Sequence, residues 1–507
     1  MSYEEHSQNN QNELCKNELN NKFCNSKFWR TYVNAPVNLS FLTGWRYPGI
    51  PRLKGNPLAG RLFSFLQADG PLNNFLAAGE IAKNHSLGMC YFWLGPQAVL
   101  FITKPEHIKQ ILMEDKDKIS SQQPLKLFKA FFGSNIFVDP DDLWEQKKTI
   151  YAKWLNKKKI FADYENSLKT AVDHCISYLR TSSNAISLQE LASKFTLHVV
   201  LKQTMPYLTI DNGLLDPVGK HLAKIDENLF SAKNLFKWNL PALILKLFFK
   251  DANPSIIKQQ MQTTFNELLF SNQEDSIKTT DNFIKDIWQL NNKQLTSLQE
   301  NLSAIYGDAN IVLLAGVETT ASTLQFLLKL LCAYPEVESR LRAELSAHFS
   351  AGNGSISIMD INHLPYLDSV VKETLRVYPP APAVLRTVKE PFKIDNVPVY
   401  KGDMIIFSPF VTHRLQAVWG EDSELFKPER FLTTDTHEIN AAYLPFSKGP
   451  RACIGRDLAL IEIKALVAAM LMNFEITIDH NDFQISLARG ALKPKIITKA
   501  CFKPIRD

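Results

Sequence analysis

The sequence predicts a mainly helical fold with small β-sheets, arranged as one large domain over residues 46–507 behind a polar, Asn-rich arm over 1–45. Three observations predict it. The run from Asn301 to Leu331 is the most apolar of the chain and, at ~1.5 Å per residue, long enough to cross a domain as one helix. The segments from Tyr164 to Tyr207 and from Gly213 to Phe270 have the two-faced pattern of several amphipathic helices. Between Cys90–Leu94 and Ala98–Ile102, two apolar stretches, stands Gly95-Pro96, so this part reads as a hairpin. A chain of 507 residues has room for several domains, but no Gly/Ser/Pro-rich linker or charge run divides it beyond Pro48.

Composition narrows the function. Apolar residues make up 45% and phenylalanine alone numbers 32, ample for a core with an apolar cavity inside it. A net charge of +5 without a concentrated basic stripe excludes a nucleic-acid binder. Seven scattered cysteines match neither a disulfide framework nor a zinc spacing and fit a reducing, cytoplasmic setting. The first forty residues hold no apolar run of signal or anchor length, which predicts a soluble protein whose membrane contact is at most peripheral.

Taken in order, Ser120–Asp139 is a loop carrying Phe128, Phe131, Phe132 and Phe137, readable either as substrate-facing or as ordinary core. Trp144 and Lys148, at i and i+4, share one helix face and offer an indole N–H and a cation to an anionic group. Lys147, Lys153 and Lys157–Lys159 form a basic face, either solvated or a docking surface. Leu235–Leu245 is an apolar-basic stretch suited to helix packing, a substrate entrance or a membrane surface. The regions 271–282 and 350–357 read as polar loops.

Asp308, Glu318, Gln325 and Lys329 interrupt the long apolar run, so it reads as a buried central helix rather than a bilayer span. Inside it, Ala315-Gly316-Val317-Glu318-Thr319-Thr320 breaks the local rules, since glycine in a helix interior costs ~1 kcal/mol. Ala315 and Gly316 leave room for a small ligand, and Glu318 and Thr319 are expected to bring an acid and a hydroxyl to the same place for proton delivery. Glu373 and Arg376 pair at i and i+3 on a helix that ends at Pro379-Pro380.

Near the C-terminal end, Pro445–Gly455 runs into the apolar segment Leu458–Leu471. Gly449 permits a tight turn, and Gly455 permits close approach to a flat ligand. A helix opening just after Cys453 is expected to aim its amides at the sulfur and lower the thiol pKa, with Arg451 adding a cation and Phe446 a cover.

The pattern Phe446-x-x-Gly449-x-Arg451-x-Cys453-x-Gly455 closely resembles the haem-binding loop of the cytochrome P450 family. The sextet at Ala315, the Glu373-x-x-Arg376 helix and Pro428-Glu429-Arg430-Phe431 resemble three further motifs of that family, in its order. The resemblance covers Tyr47 to the end and implies the P450 fold, with haem b (iron protoporphyrin IX) buried between the central helix and the Cys-loop helix. It further implies Cys453 as axial ligand, Trp144, Lys148 and Arg386 toward the haem propionates, and a buried Glu373–Arg376–Arg430 network. The activity implied is insertion of one oxygen atom from O2 into an apolar small molecule such as a fatty acid, terpenoid or sterol. Too little chain follows the cysteine helix for a flavin or iron–sulfur module, so electrons are expected from a separate ferredoxin or flavoprotein reductase docking near Lys448. The alternatives are a haem-thiolate isomerase or peroxygenase, or a haem carrier, none of which needs the Glu318-Thr319 pair. Tyr47–Pro51 and Gly55–Pro57 resemble the proline-rich entry of membrane-bound relatives, and Lys148 stands where the family usually has arginine, losing the bidentate fork.

Overall fold

The computed structural model describes residues 46–56, 60–65, 67, 69–95, 97–120, 132–156, 165–230, 254–291, 298–349, 358–433, 437–488 and 490–505. The arm over 1–45, Phe128, Phe131, Lys157–Lys159, Leu235–Leu245 and the loop 350–357 lie outside them. The chain forms two compact units, one from residues up to Pro124 with Ala383–Thr412, the other from Leu125–Pro382 with His413–Asp507.

The first unit is organised by the hairpin. Met89–Leu94 pairs antiparallel with Gln97–Ile102, and Leu94 faces Gln97 across a two-residue turn in which Gly95 takes φ 56°, a conformation glycine adopts without a Cβ clash. Gln97–Ile102 then runs parallel to Met404–Phe407, which pairs antiparallel with Val384–Val388, itself paired with Ile119–Ser120. Met89 to Trp93 are all buried, so the strand reads as a continuous apolar run rather than an alternation. Helix Gly70–Lys83 packs on it. Arg46 and Tyr47 both reach the buried Asp403, at 2.9 and 2.5 Å, which fixes the first described residues to the sheet.

The second unit is organised by the central helix, Leu298–Ala333. Among the described residues, its stretch Ile305–Ala333 alone is long and apolar enough to cross a membrane, but 83% of its most apolar window is buried inside the protein, as in a core helix. Helices Leu188–Thr204 and Phe283–Asn291 pack along it. Gly307 lets the backbone of Phe132–Ser134 lie directly against it, where a Cβ would collide with the Ser134 carbonyl. Glu165–Thr181, Asn212–Phe230 and Pro254–Leu269 are the other amphipathic helices among the described residues of the predicted helical region. The stretch 271–282, expected as loop, carries the short helix Glu274–Thr279.

The cysteine helix, Arg456–Asn473, packs against the central helix. From Ile461 to Leu471 every residue is buried, as suits a helix apolar on nearly every side, and of its two charged residues, Glu462 and Lys464, the second pairs with Asp368 at 2.5 Å. The C-terminal strands make a small sheet, with Lys499–Pro504 between Ile186–Ser187 and Phe474–Ile478, and a hairpin, Ile485–Ala488 with Ala491–Pro494, that lies on the central helix.

Candidate haem-thiolate site

The loop before the cysteine helix is built from tight backbone turns. Ser447 at φ 58° and Gly449 at φ 78° both adopt the left-handed region, and the chain folds back so that the Cys453 N–H donates to the Phe446 carbonyl at 2.9 Å. Phe446 packs against the core beside it. Gly455 is the N-cap residue at φ −80°, and a Cβ there would meet only the Cys453 sulfur, at 4.0 Å, so no protein packing demands a glycine.

The Cys453 side chain is exposed, yet the protein around it is dense enough that burial raises its thiol pKa above the ordinary value. The Gly455 N–H and the Arg456 charge pull the other way and do not prevail. This corrects the expected sign: desolvation outweighs the helix start. It also corrects the expected cation. Arg451 does not serve the sulfur; it pairs with Asp141 at 2.6 Å and stacks on Trp144 with 3.7 Å from guanidinium to ring centre.

Helix Asp141–Leu155 joins this loop to the central helix. Trp144 and Lys148 share a face as expected, with the Lys148 ammonium 4.8 Å from the indole centre, so the ring is flanked by Lys148 and Arg451. Lys147 points the other way. Expected on an exposed basic face, solvated or docking, it is instead fully buried and pairs with Asp139 at 2.6 Å and with Asp308 of the central helix at 2.5 Å. Tyr151 donates to the same Asp308 at 2.9 Å. Burial pushes Asp308 up to about 6, with Lys147 opposing it. The one signal that could have found this cluster was an aspartate inside the most apolar run of the chain. Lys153 is half-exposed and bonded to Asp281 and Asp286, and Lys448 donates to the Asn440 carbonyl.

On the central helix, every residue from Ile305 to Leu331 is buried except Ala315, Gly316 and Thr319. Ala315 and Thr319 are i and i+4 on one face, with Gly316 beside them, so the half-buried residues form one small patch on an otherwise packed helix. The Thr319 hydroxyl donates to the Ala315 carbonyl at 2.6 Å and keeps its acceptor lone pairs for the open side. Gly316 has a packing reason to be small: an added Cβ would lie 2.9 Å from the Val200 side chain, so the helix contact disfavours alanine.

Glu318 is not at the same place as Thr319. Consecutive helix residues do not face each other, and Glu318 is buried in an ion pair with Lys493 on strand Ala491–Pro494. Ser322, one turn on, donates to the Leu492 carbonyl, so Glu318 and Ser322 together hold the C-terminal hairpin on the helix. The sequence offered no sign of Lys493, whose partner lies 175 residues away.

The structure brings Glu373, Arg376 and Arg430 together. Arg376 binds both Glu373 oxygens, at 2.7 and 2.8 Å, and Arg430 approaches the same carboxylate at 3.4 Å while donating to Asp422 at 3.0 Å. Arg386 lies on strand Val384–Val388 of the first unit, buried, with its guanidinium donating to the Leu385 carbonyl.

These residues fit a planar macrocycle held by one sulfur. Cys453 is exposed, and the helix packed on its own carries a small-residue patch, a donor set and a surface that suit such a group.

The family model of the cytochrome P450s matches residues 51–502. The chain is similar to cytochrome P450 3A12 of Canis lupus familiaris, 28% identical across 80% of this chain and 82% of that one. It is similar to cytochrome P450 3A17 of Cavia porcellus, 26% identical across 84% and 85%. To the cytochrome P450 monooxygenase sphH of Aspergillus fumigatus it is 34% identical across 38% of this chain and 37% of that one.

Proposed function

Because the chain belongs to the cytochrome P450 family and is thus a haem b monooxygenase, we propose that it inserts one oxygen atom from O2 into an apolar small molecule of the fatty acid, terpenoid or sterol class, with electrons from a separate ferredoxin or flavoprotein reductase. The observation that carries this reading is the patch of Ala315, Gly316 and Thr319 on a helix otherwise buried from Ile305 to Leu331 and packed on the helix that Cys453 precedes. The patch is apolar apart from one hydroxyl, which suits an apolar substrate. Scattered free cysteines, five among the described residues, support a reducing, cytoplasmic location.

When bound, the haem supplies the oxygen chemistry, and the protein holds, orients and protonates. Cys453 would hold the iron, with Trp144 and Lys148 reading the propionates. Thr319, its own proton committed to the Ala315 carbonyl, would order a water through its lone pairs and so hold a proton at the open side of the helix. Glu318 acts as a positioning residue, held by Lys493 against the hairpin.

Turnover of such a compound is expected to require both O2 and an added reductase. Thr319→Ala should leave substrate binding intact while diverting consumed electrons to peroxide. Turnover without a reductase would favour the isomerase or peroxygenase reading, and unchanged coupling in Thr319→Ala would remove the hydroxyl from the mechanism.

A further inference from the structure

His413 is fully buried and lies between the Glu373–Arg376 pair and the root of the cysteine loop. Its Nδ1 faces the Arg376 carbonyl at 3.1 Å, and its Nε2 faces the Leu444 N–H at 2.8 Å. A carbonyl accepts and an N–H donates, so a single form satisfies both: the neutral ring with its proton on Nδ1. Burial first, and then the Arg376 and Arg414 charges, hold the imidazole at about 3, which keeps the ring neutral at physiological pH. Arg376 answers the contact, since its guanidinium donates to the His413 carbonyl at 2.8 Å.

From Leu444 the bonds continue toward the sulfur. The Leu444 carbonyl accepts from the Ser447 N–H at 3.1 Å, and the Phe446 carbonyl between them accepts from the Cys453 N–H at 2.9 Å. A second tie runs alongside: Tyr443, whose ring centre is 5.4 Å from that of His413, donates its hydroxyl to the Lys372 carbonyl at 3.0 Å. Helix Pro365–Val377 therefore grips the loop at two successive residues, Tyr443 and Leu444.

We propose that His413 is a positioning residue for the thiolate ligand, transmitting the fixed position of the Glu373–Arg376 core through Leu444 to the backbone N–H of Cys453. The proposal rests on Cys453 being the haem ligand. A one-sided loss at this point leaves a buried N–H on Leu444 and a buried carbonyl on Arg376 without partners, and the loop is the part free to shift in response.

The test compares folded holoprotein variants by the spectrum of the ferrous–carbonyl complex. His413→Phe keeps the ring and loses both nitrogens; it should convert from the thiolate-type to the thiol-type band roughly tenfold faster than the parent. His413→Gln, with an amide that donates and an oxygen that accepts, should recover most of the difference. A merely structural role would lower the unfolding midpoint and leave the band and its lifetime unchanged in the molecules that fold, and that result overturns the proposal. Amide hydrogen exchange on the parent protein tests it without a variant: the Leu444 N–H should be protected like the amides of helix Pro365–Val377, and exchange at loop rates would also overturn it. Absence of any thiolate-type band in the parent would instead sink the assignment of Cys453, an outcome distinct from both.

Discussion

Cys453→Ser is expected to abolish the thiolate-type spectrum of the ferrous–carbonyl complex completely, while single replacement of any other cysteine leaves it intact. A serine hydroxyl is far harder to deprotonate than a thiol and gives the iron a weaker electron donor, so the variant should bind haem poorly or with another ligand. The other described cysteines offer no substitute. Cys90 and Cys175 are buried, and burial pushes both thiols up to about 12. Cys332 is pushed up to about 11, and its sulfur is 3.6 Å from the Ile476 carbonyl. Cys501 sits on the outer face of strand Lys499–Pro504. Absorption spectra of the seven single variants after reduction under carbon monoxide decide the matter, and a thiolate-type band that survives Cys453→Ser would assign the iron to another residue.

What could be read before the structure was what short sequence spacing encodes. The hairpin at Gly95 follows from two apolar stretches either side of a Gly-Pro turn, and the shared face of Trp144 and Lys148 and the Glu373–Arg376 pair follow from spacings of four and three residues, which helix geometry converts directly into neighbours. Contacts between distant segments had no such signature. Lys147 looked like one more lysine in a basic run, and only its burial against Asp139 and Asp308 shows that it holds a helix in place. Lys493 and His413 are ordinary polar residues in the text, made important by Glu318 and Leu444. The acidity of Cys453 was misjudged for a related reason: the amides of a helix start can be counted from sequence, whereas the desolvation that opposes them depends on everything packed around the sulfur.

Replacing Arg376 is expected to have the largest effect on stability, with Arg376→Lys failing to rescue it. A guanidinium has five N–H donors, and Arg376 makes five bonds: two to Glu373, and one each to the carbonyls of His413, Ser423 and Leu425, all between 2.6 and 2.8 Å. Lysine keeps the charge but brings only three donors on a flexible stem, so at least two of these buried acceptors lose their partner, and the planar fork on Glu373 is gone. Removing the charge is worse. In Arg376→Met, Glu373 stays in the interior with the Lys427 N–H at 2.9 Å and Arg430 at 3.4 Å, against two strong bonds in the parent, and breaking a buried pair from one side costs about 3–5 kcal/mol. Because the His413 carbonyl is among the stranded acceptors, the damage should extend to the cysteine loop as earlier haem loss. The expected order of denaturation midpoint and of haem retention on titration with urea is therefore parent, then Arg376→Lys, then Arg376→Met. An Arg376→Lys protein with the midpoint of the parent would mean that charge alone, and not the five-bond fork, holds this core together.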